Sequence, residues 1–206
     1  MFVVTADQRG STRHGNRVDD LLASLDPWFH AWTSHVGLPV ERTVGDEVQA
    51  VLTSAEAAVD LALQLVRRRV WSVGIGAGPI DEPLRSTARA SSGPAFVHAR
   101  RAVERARGRG EPVSVVVAGQ DADAEESATA IVQLLASVVR RRSVAGWEVG
   151  DLMGPGVTQR DVAARLGITT QAVSQRIASA MLDEERRARP VAAALLERAS
   201  AARETA

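Results

Sequence analysis

Two aspartates sit in local contexts suited to metal chemistry. Asp7 ends the strand-like run FVVTAD and precedes Gln8-Arg9 and a Gly10-Ser11-Thr12 turn, while Gly45-Asp46-Glu47 separates two strand-like runs in RTVGDEVQAVL. In a split βαβ sheet the tip of that hairpin lies beside the first strand, so the two carboxylates would converge. Paired carboxylates with backbone carbonyls nearby suit Mg²⁺ or Mn²⁺, and cations held this way orient a triphosphate for in-line attack. Gly10, Ser11 and Thr12 would present backbone N–H groups to phosphate. Each residue also has a plainer use. Asp7 would cap the turn, Asp46 would satisfy a hairpin in which Gly45 supplies the unusual dihedral, and Glu47 would be a solvated strand residue.

The elements that would position these groups follow from the patterning. Up to about residue 120, strand-like and helix-like segments alternate: FVVTAD, a helix over 18–35, PVERTV, EVQAVL, a helix over 54–69, VWSVGIGAG, a helix over 94–107 and PVSVVVAG. The order β-α-β-β-α-β with a further α-β predicts an α+β fold with a split βαβ sheet covered by helices on one face. GIGAG at 74–78 lies mostly within a strand and lacks the helix a dinucleotide fingerprint needs, so it predicts close approach of a helix or partner. Beyond Gly119 the pattern is helical, punctuated by Gly146, Gly150, Gly154-Pro155-Gly156, Gly167 and Pro190. The expected division is 1–120 and 121–206.

Composition bounds the setting. The 206-residue chain has no cysteine, which excludes disulfides and thiolate chemistry, and its net charge is zero with all 25 basic residues arginine. Any nucleic-acid surface must therefore be a local patch. No leader-like or membrane-spanning run is present, so a soluble, cytoplasmic protein is expected, with no membrane partner. The histidines show no zinc spacing, and Trp28, Trp32, Trp71 and Trp147 are expected in cores.

The most specific local pattern lies in VTQRDVAARLGITTQAVSQRIASAM, residues 157–181. Apolar Val162, Ala163 and Leu166, then Gly167-Ile168, then Val173 and Ile177, predict a short helix, a glycine turn and a second helix, the helix-turn-helix spacing. Thr158 and Thr169 or Thr170 are placed to cap these helices. The outward face would carry Thr170, Gln171, Ser174 and Gln175, with Arg176 near its edge. Gln reads adenine, hydroxyls reach bases or phosphates, and Arg160, Arg165 and Arg176 would neutralise backbone charge of double-stranded DNA. The alternative is a helical hairpin used for dimerisation or packing. Residues 121–206 hold 11 arginines against 12 acids, which argues for modest affinity per monomer. Arg140, Arg141 and Arg142 would form either a phosphate patch or a dipole-favoured charge cluster at a helix end. A last helix, from Asp183 to about Arg203, carries Val191, Leu195 and Leu196 as an apolar stripe for a core or a dimer contact.

ADQRGST, RTVGDEVQAVL, WSVGIGAG and SSGPAFVHARRAVERAR, in that order, resemble the SatD family, whose N-terminal region is similar to the class III nucleotidyl cyclase fold and whose members tend to carry a C-terminal helix-turn-helix. The resemblance spans nearly the whole chain. It implies a ferredoxin-like, nucleotidyl cyclase-like βαββαβ(αβ) region, followed by an all-α helix-turn-helix region. It places the cyclase metal aspartates on Asp7 and Asp46 and the base-reading lysine on Arg42, within a nucleotide-binding set of Gly10, Ser11, Thr12, Arg42 and Gly45. The transition-state arginine falls on Arg101. The matching asparagine falls on Val97, so a catalytic anchor is missing unless His98 replaces it. Catalysis by positioning suffers from such a loss, and the expected role leans away from an enzyme. The expected function is a DNA-binding regulator, homodimeric, whose N-terminal region dimerises or senses a nucleotide or metal. The alternatives are a cyclase-type enzyme using two metal ions and a protein-interaction module.

Overall fold

In a computed structural model, which describes residues 1–108 and 110–202, the chain is a mixed α+β fold built on one five-stranded sheet. Strands β1 (Phe2–Gln8), β2 (Val36–Arg42), β3 (Glu47–Leu52), β4 (Trp71–Ala77) and β5 (Val115–Ala118) lie in the order β2-β3-β1-β4-β5. β1 runs antiparallel to both β3 and β4, and only the β4–β5 pair is parallel. Helices α1 (Ser11–His14), α2 (Val18–Ser24), α3 (Asp26–Trp32), α4 (Ala55–Arg67) and α5 (Pro94–Arg107) belong to this half. The segment expected as one helix over 18–35 is two helices ending in a 3₁₀ turn, because Pro27 falls in the first turn of α3 and favours a fresh start at Asp26.

Alternation along the strands sorts the sheet into two faces. Phe2, Val4, Ala6, Val48, Ala50, Leu52, Val73 and Ile75 join Leu21, Leu25 and Trp28 and the apolar side of α4 in the main core. Val3 and Val51 face the other way, under α5. The expectation of helices on one face only is therefore wrong. A parallel β4-α5-β5 crossover carries α5 to the opposite face, and glycine makes room for it. A Cβ on Gly76 would lie 2.0 Å from the Ala95 carbonyl oxygen and one on Gly74 would lie 2.3 Å from the Val103 nitrogen. The close approach expected of GIGAG is that of α5.

Beyond residue 120 all regular structure among the described residues is helical: α6 (Ala122–Arg141), α7 (Val144–Leu152), α8 (Gln159–Leu166), α9 (Thr170–Ser179) and α10 (Leu182–Ser200). Residue 120 does not separate two cores. Ala128, Val132, Leu135 and Val139 of α6 and Ala192, Ala193 and Leu196 of α10 pack into the same core as α4. A smaller core gathers Val149, Val162, Ala163, Val173, Ile177 and Leu182. Three punctuation signals fail to interrupt helices: α7 runs through Gly146 and Gly150, and α10 runs through Pro190. The α10 stripe is also corrected, since Val191 is exposed and small Ala192, Ala193 and Ala199 join Leu196 on the buried side. Arg203, the expected end of that helix, lies outside the described residues.

A polar chain, buried at Glu185 and Arg142 and half-buried at Asp60 and Arg189, joins the halves. The Asp60 carboxylate of α4 accepts from the Trp28 and Trp32 indoles at 2.7 and 3.1 Å and pairs with Arg189 of α10. Arg189 also pairs with Glu185, which holds Arg142 at 2.6 Å. The Arg142 guanidinium donates twice to the Ala180 carbonyl at the end of α9 and stacks over Trp147, whose other partner is Arg67. Arg142 is thus an internal structural group and leaves the expected phosphate patch.

Candidate functional site

The sheet face beneath α5 arranges its side chains in rows fixed by register. Val51, Val3 and Gly76 form one row, Gln49, Thr5 and Gly74 the next, and Glu47, Asp7 and Ser72 the last. The rows pass from apolar to acidic toward the end where the hairpin 43–46 turns. Asp7 thus meets Glu47 as its direct cross-strand neighbour, while Asp46 offers its backbone carbonyl to the Gln8 N–H at 3.2 Å and its carboxylate as a nearby like charge. Glu47 is held by the Thr43 hydroxyl at 2.6 Å and by Arg100 at 3.5 Å.

α5 supplies the positive charge. Arg107, in its last turn, stands 3.3 Å from Asp7. Burial pushes the Asp7 carboxyl above its ordinary range, Arg107 draws it back, and Asp46 and Glu47 push it further up. Ser72, fully buried beside Asp7, has no hydrogen-bond partner for its hydroxyl among the described residues. Among those residues no three His, Asp or Glu side chains converge as a metal cluster. A cation here would draw on Asp7 and Asp46 with backbone and water oxygens, and Arg107 already stands where it would neutralise Asp7.

A carboxylate whose protonation is raised by folding costs stability when ionised, and that cost fades as pH falls through its folded value. Asp7→Asn is therefore expected to stabilise the protein at neutral pH by about 0.5–2 kcal/mol. Urea unfolding at neutral pH and in acid checks this, with the gain fading as pH falls toward the unfolded aspartate value of about 3.9. A destabilised variant would mean that the Arg107 pair outweighs burial.

The remaining candidates of this half divide. Gly10 and Gly45 take left-handed conformations with φ of 71° and 62°. Ser11 and Thr12 begin the four-residue helix α1. The Gly45 carbonyl accepts from Asn16 and from Arg42, both at 3.1 Å, which draws the 10–17 segment against the hairpin, and Arg42 also pairs with Asp19 at 2.8 Å. Arg101 is not part of this group. It leaves α5 on another side, pairs with Glu125 and reaches the Gly119 carbonyl, at the opposite end of the sheet from Asp7. Val97 is exposed, and the His98 ring nitrogen is 2.8 Å from the Ala77 carbonyl.

The second candidate site is the α8–α9 pair. Thr158 caps α8 in a reciprocal capping box with Asp161, Gly167 closes it in the left-handed conformation, and Thr169 caps α9 through the Ala172 N–H at 3.1 Å. Val173 and Ile177 bury the inner side of α9. Thr169, Thr170, Gln171, Ser174 and Gln175 are exposed, as is Arg160. Arg176 is half-buried and paired with Glu148 of α7 at 2.8 Å, so it braces α9.

Reading the sequence alone passes over Arg100, Arg107, Ser72 and the Asp60–Arg189–Glu185–Arg142 chain. Alternation in EVQAVL is enough to turn Glu47 to the face of Gln49 and Val51. Nothing local marks the arginines, which meet the acids only when α5 crosses the sheet. Comparisons with protein-family models, with curated proteins and with solved structures each find no match.

Proposed function

We propose that the protein is a DNA-binding regulator in which α8 and α9 form a helix-turn-helix and α9 enters the major groove of duplex DNA. The observation that carries this reading is the exposed face of α9, polar and uncharged at Thr170, Gln171, Ser174 and Gln175, above a buried Val173 and Ile177. An ordinary solvated helix would carry charges there, whereas uncharged donors and acceptors suit base edges. Arg160 and Arg165 supply phosphate contact, and Arg176 holds α9 on α7. The sheet half, whose strand order and directions fit a ferredoxin-like, nucleotidyl cyclase-like fold as the SatD resemblance implies, serves homodimerisation or nucleotide and metal sensing.

Binding-site selection with a randomised duplex pool tests this reading. Gln171→Ala is expected to lower affinity for the selected sequence by roughly tenfold and to relax preference at one base pair. Arg160→Ala should weaken all sequences alike and reduce the salt slope by about one. Selection of no sequence, together with unchanged weak binding by both variants, overturns the reading.

A second reading rests on Asp7, a buried carboxylate beside Asp46 at the sheet end. It makes the N-terminal half a cyclase-type enzyme acting on a nucleoside triphosphate. Incubation with ATP or GTP and Mg²⁺ or Mn²⁺, read by mass spectrometry, decides it. A new nucleotide absent with Asp7→Asn/Asp46→Asn supports turnover, and no product leaves the site as a sensor or a relic.

A further inference from the structure

Trp28 and Trp32 lie one turn apart on α3 with their rings stacked, the centroids 6.3 Å apart and the planes at 28°. Both indole N–H groups donate to the Asp60 carboxylate of α4, so the polar edges of the pair are already satisfied. The two rings line an open pocket of about 660 Å³. α4 contributes Asp60 and Gln64 to it and, at its end, Arg67 and Arg68, and α7 contributes Asp151. The volume lies within the roughly 300–1,000 Å³ of small-molecule sites, and a position between elements of both halves of the chain is where such sites collect.

The charges around this pocket are unequally engaged. Asp60 is taken up by the two indoles and by Arg189, and Asp151 is held by Arg67 through two hydrogen bonds of 2.7 Å. Both carboxylates are thus spent inside the protein. Among the described residues the Arg68 guanidinium donates to neutral oxygens, those of the Gln64 carbonyl and the Ser24 hydroxyl, which leaves donors over from its five. Burial, then the neighbouring Arg67, holds Arg68 below its usual value. A ligand carboxylate would offset both effects, whereas a cation would meet two arginines with no carboxylate to spare. Gln64, one turn before Arg68, is half-buried, lines the pocket and makes no side-chain hydrogen bond among the described residues.

We propose that this pocket binds a flat aromatic carboxylic acid, with the ring against Trp28 and Trp32 and the carboxylate on Arg68 beside Gln64. Stacked indoles suit a planar ring, and a guanidinium fork suits a planar carboxylate. The pocket uses no residue of α8 or α9 and none of the group around Asp7, so it does not depend on either functional reading above.

Isothermal titration of the full chain with benzoate, 2-naphthoate and indole-3-carboxylate, at ionic strength matched with chloride, tests this. At least one acid is expected to saturate the protein and to bind at least roughly tenfold more tightly than its neutral amide, the difference made by a hydrogen bond to a charged group. Arg68→Gln is expected to bring acid and amide to the same affinity. Gln64→Glu breaks no side-chain hydrogen bond among the described residues and sets a carboxylate one turn from Arg68, so it is expected to lose the acid and keep the amide. Trp32→Ala should weaken both by removing ring contact. Far-ultraviolet circular dichroism confirms folding of the variants, and Arg85→Gln, at an exposed arginine outside the pocket, is the control that retains wild-type affinity. Failure of all three acids to saturate, an amide that binds as tightly as its acid, or Arg68→Gln and Gln64→Glu both matching the wild type overturns the proposal.

Discussion

Glu185→Gln lowers the stability of the fold by about 3–5 kcal/mol at pH 7, because it leaves the buried Arg142 guanidinium without its counter-charge. The side chains of Arg142 and Glu185 are 2% and 3% exposed, so solvent cannot replace the lost partner. The effect reaches both halves. Arg189 loses one of two acidic partners, and Arg142, which carries the end of α9 through the Ala180 carbonyl and stacks on Trp147, loses the charge that fixes it. Urea unfolding checks the magnitude, and a loss below about 1 kcal/mol would mean that Arg142 finds water. The double variant Arg142→Met/Glu185→Leu is expected to recover most of the loss, since it removes the unpaired Arg142 charge while Arg189 keeps Asp60.

The same pair sets a pH dependence. Burial by itself would raise the Glu185 carboxyl, but Arg189 and Arg142 together outweigh it and hold the group below its ordinary range. A depressed carboxyl contributes its full stability above the unfolded value of about 4.3 and loses it as pH falls through the folded one. The gap between wild type and Glu185→Gln should therefore close in acid. Asp7 has the opposite sign, so in a wild-type acid titration it offsets part of that loss.

The second large effect is expected at Gly76. Its missing Cβ leaves space that α5 fills, with the Ala95 carbonyl oxygen at 2.0 Å and the Ala99 nitrogen at 2.2 Å from where a methyl would sit. Both are helix backbone and cannot rotate aside. Gly76→Ala is expected to cost about 3 kcal/mol or more, at the upper end of overpacking. Displacing α5 also moves Arg100 and Arg107, which face Glu47 and Asp7, so the charge arrangement around Asp7 should change in any fraction that folds. Gly154→Ala, where nothing lies within 4 Å, is the control and should change stability by less than about 0.5 kcal/mol. Thermal melts of the three proteins make the comparison, and equal melting temperatures would show that α5 slides without cost.

Legibility followed the range of the interactions. The helices at 94–107, 159–166 and 170–179 were readable because periodicity, Pro94, the Thr158 and Thr169 caps and Gly167 are local signals. The same logic misjudged Gly146, Gly150 and Pro190, where packing outweighs the cost of a glycine or of a helix-interior proline. Gly146 and Gly150 are set close against Ala180 and Leu182, and Pro190 lies on a helix held by the Arg189 pairs and by Leu196.

By itself, then, the sequence determined the strand and helix order, the close approach at Gly74 and Gly76, and the polar outer face of α9. All of these depend on side-chain alternation or on neighbours within a few residues. Only the tertiary structure decided that α5 covers the second face, that Glu47 and Arg107 surround Asp7 while Arg101 turns away, and that Arg142 is internal. Charges attract or repel through space, and which of 25 arginines meets which acid is set by chain crossings that carry no local mark.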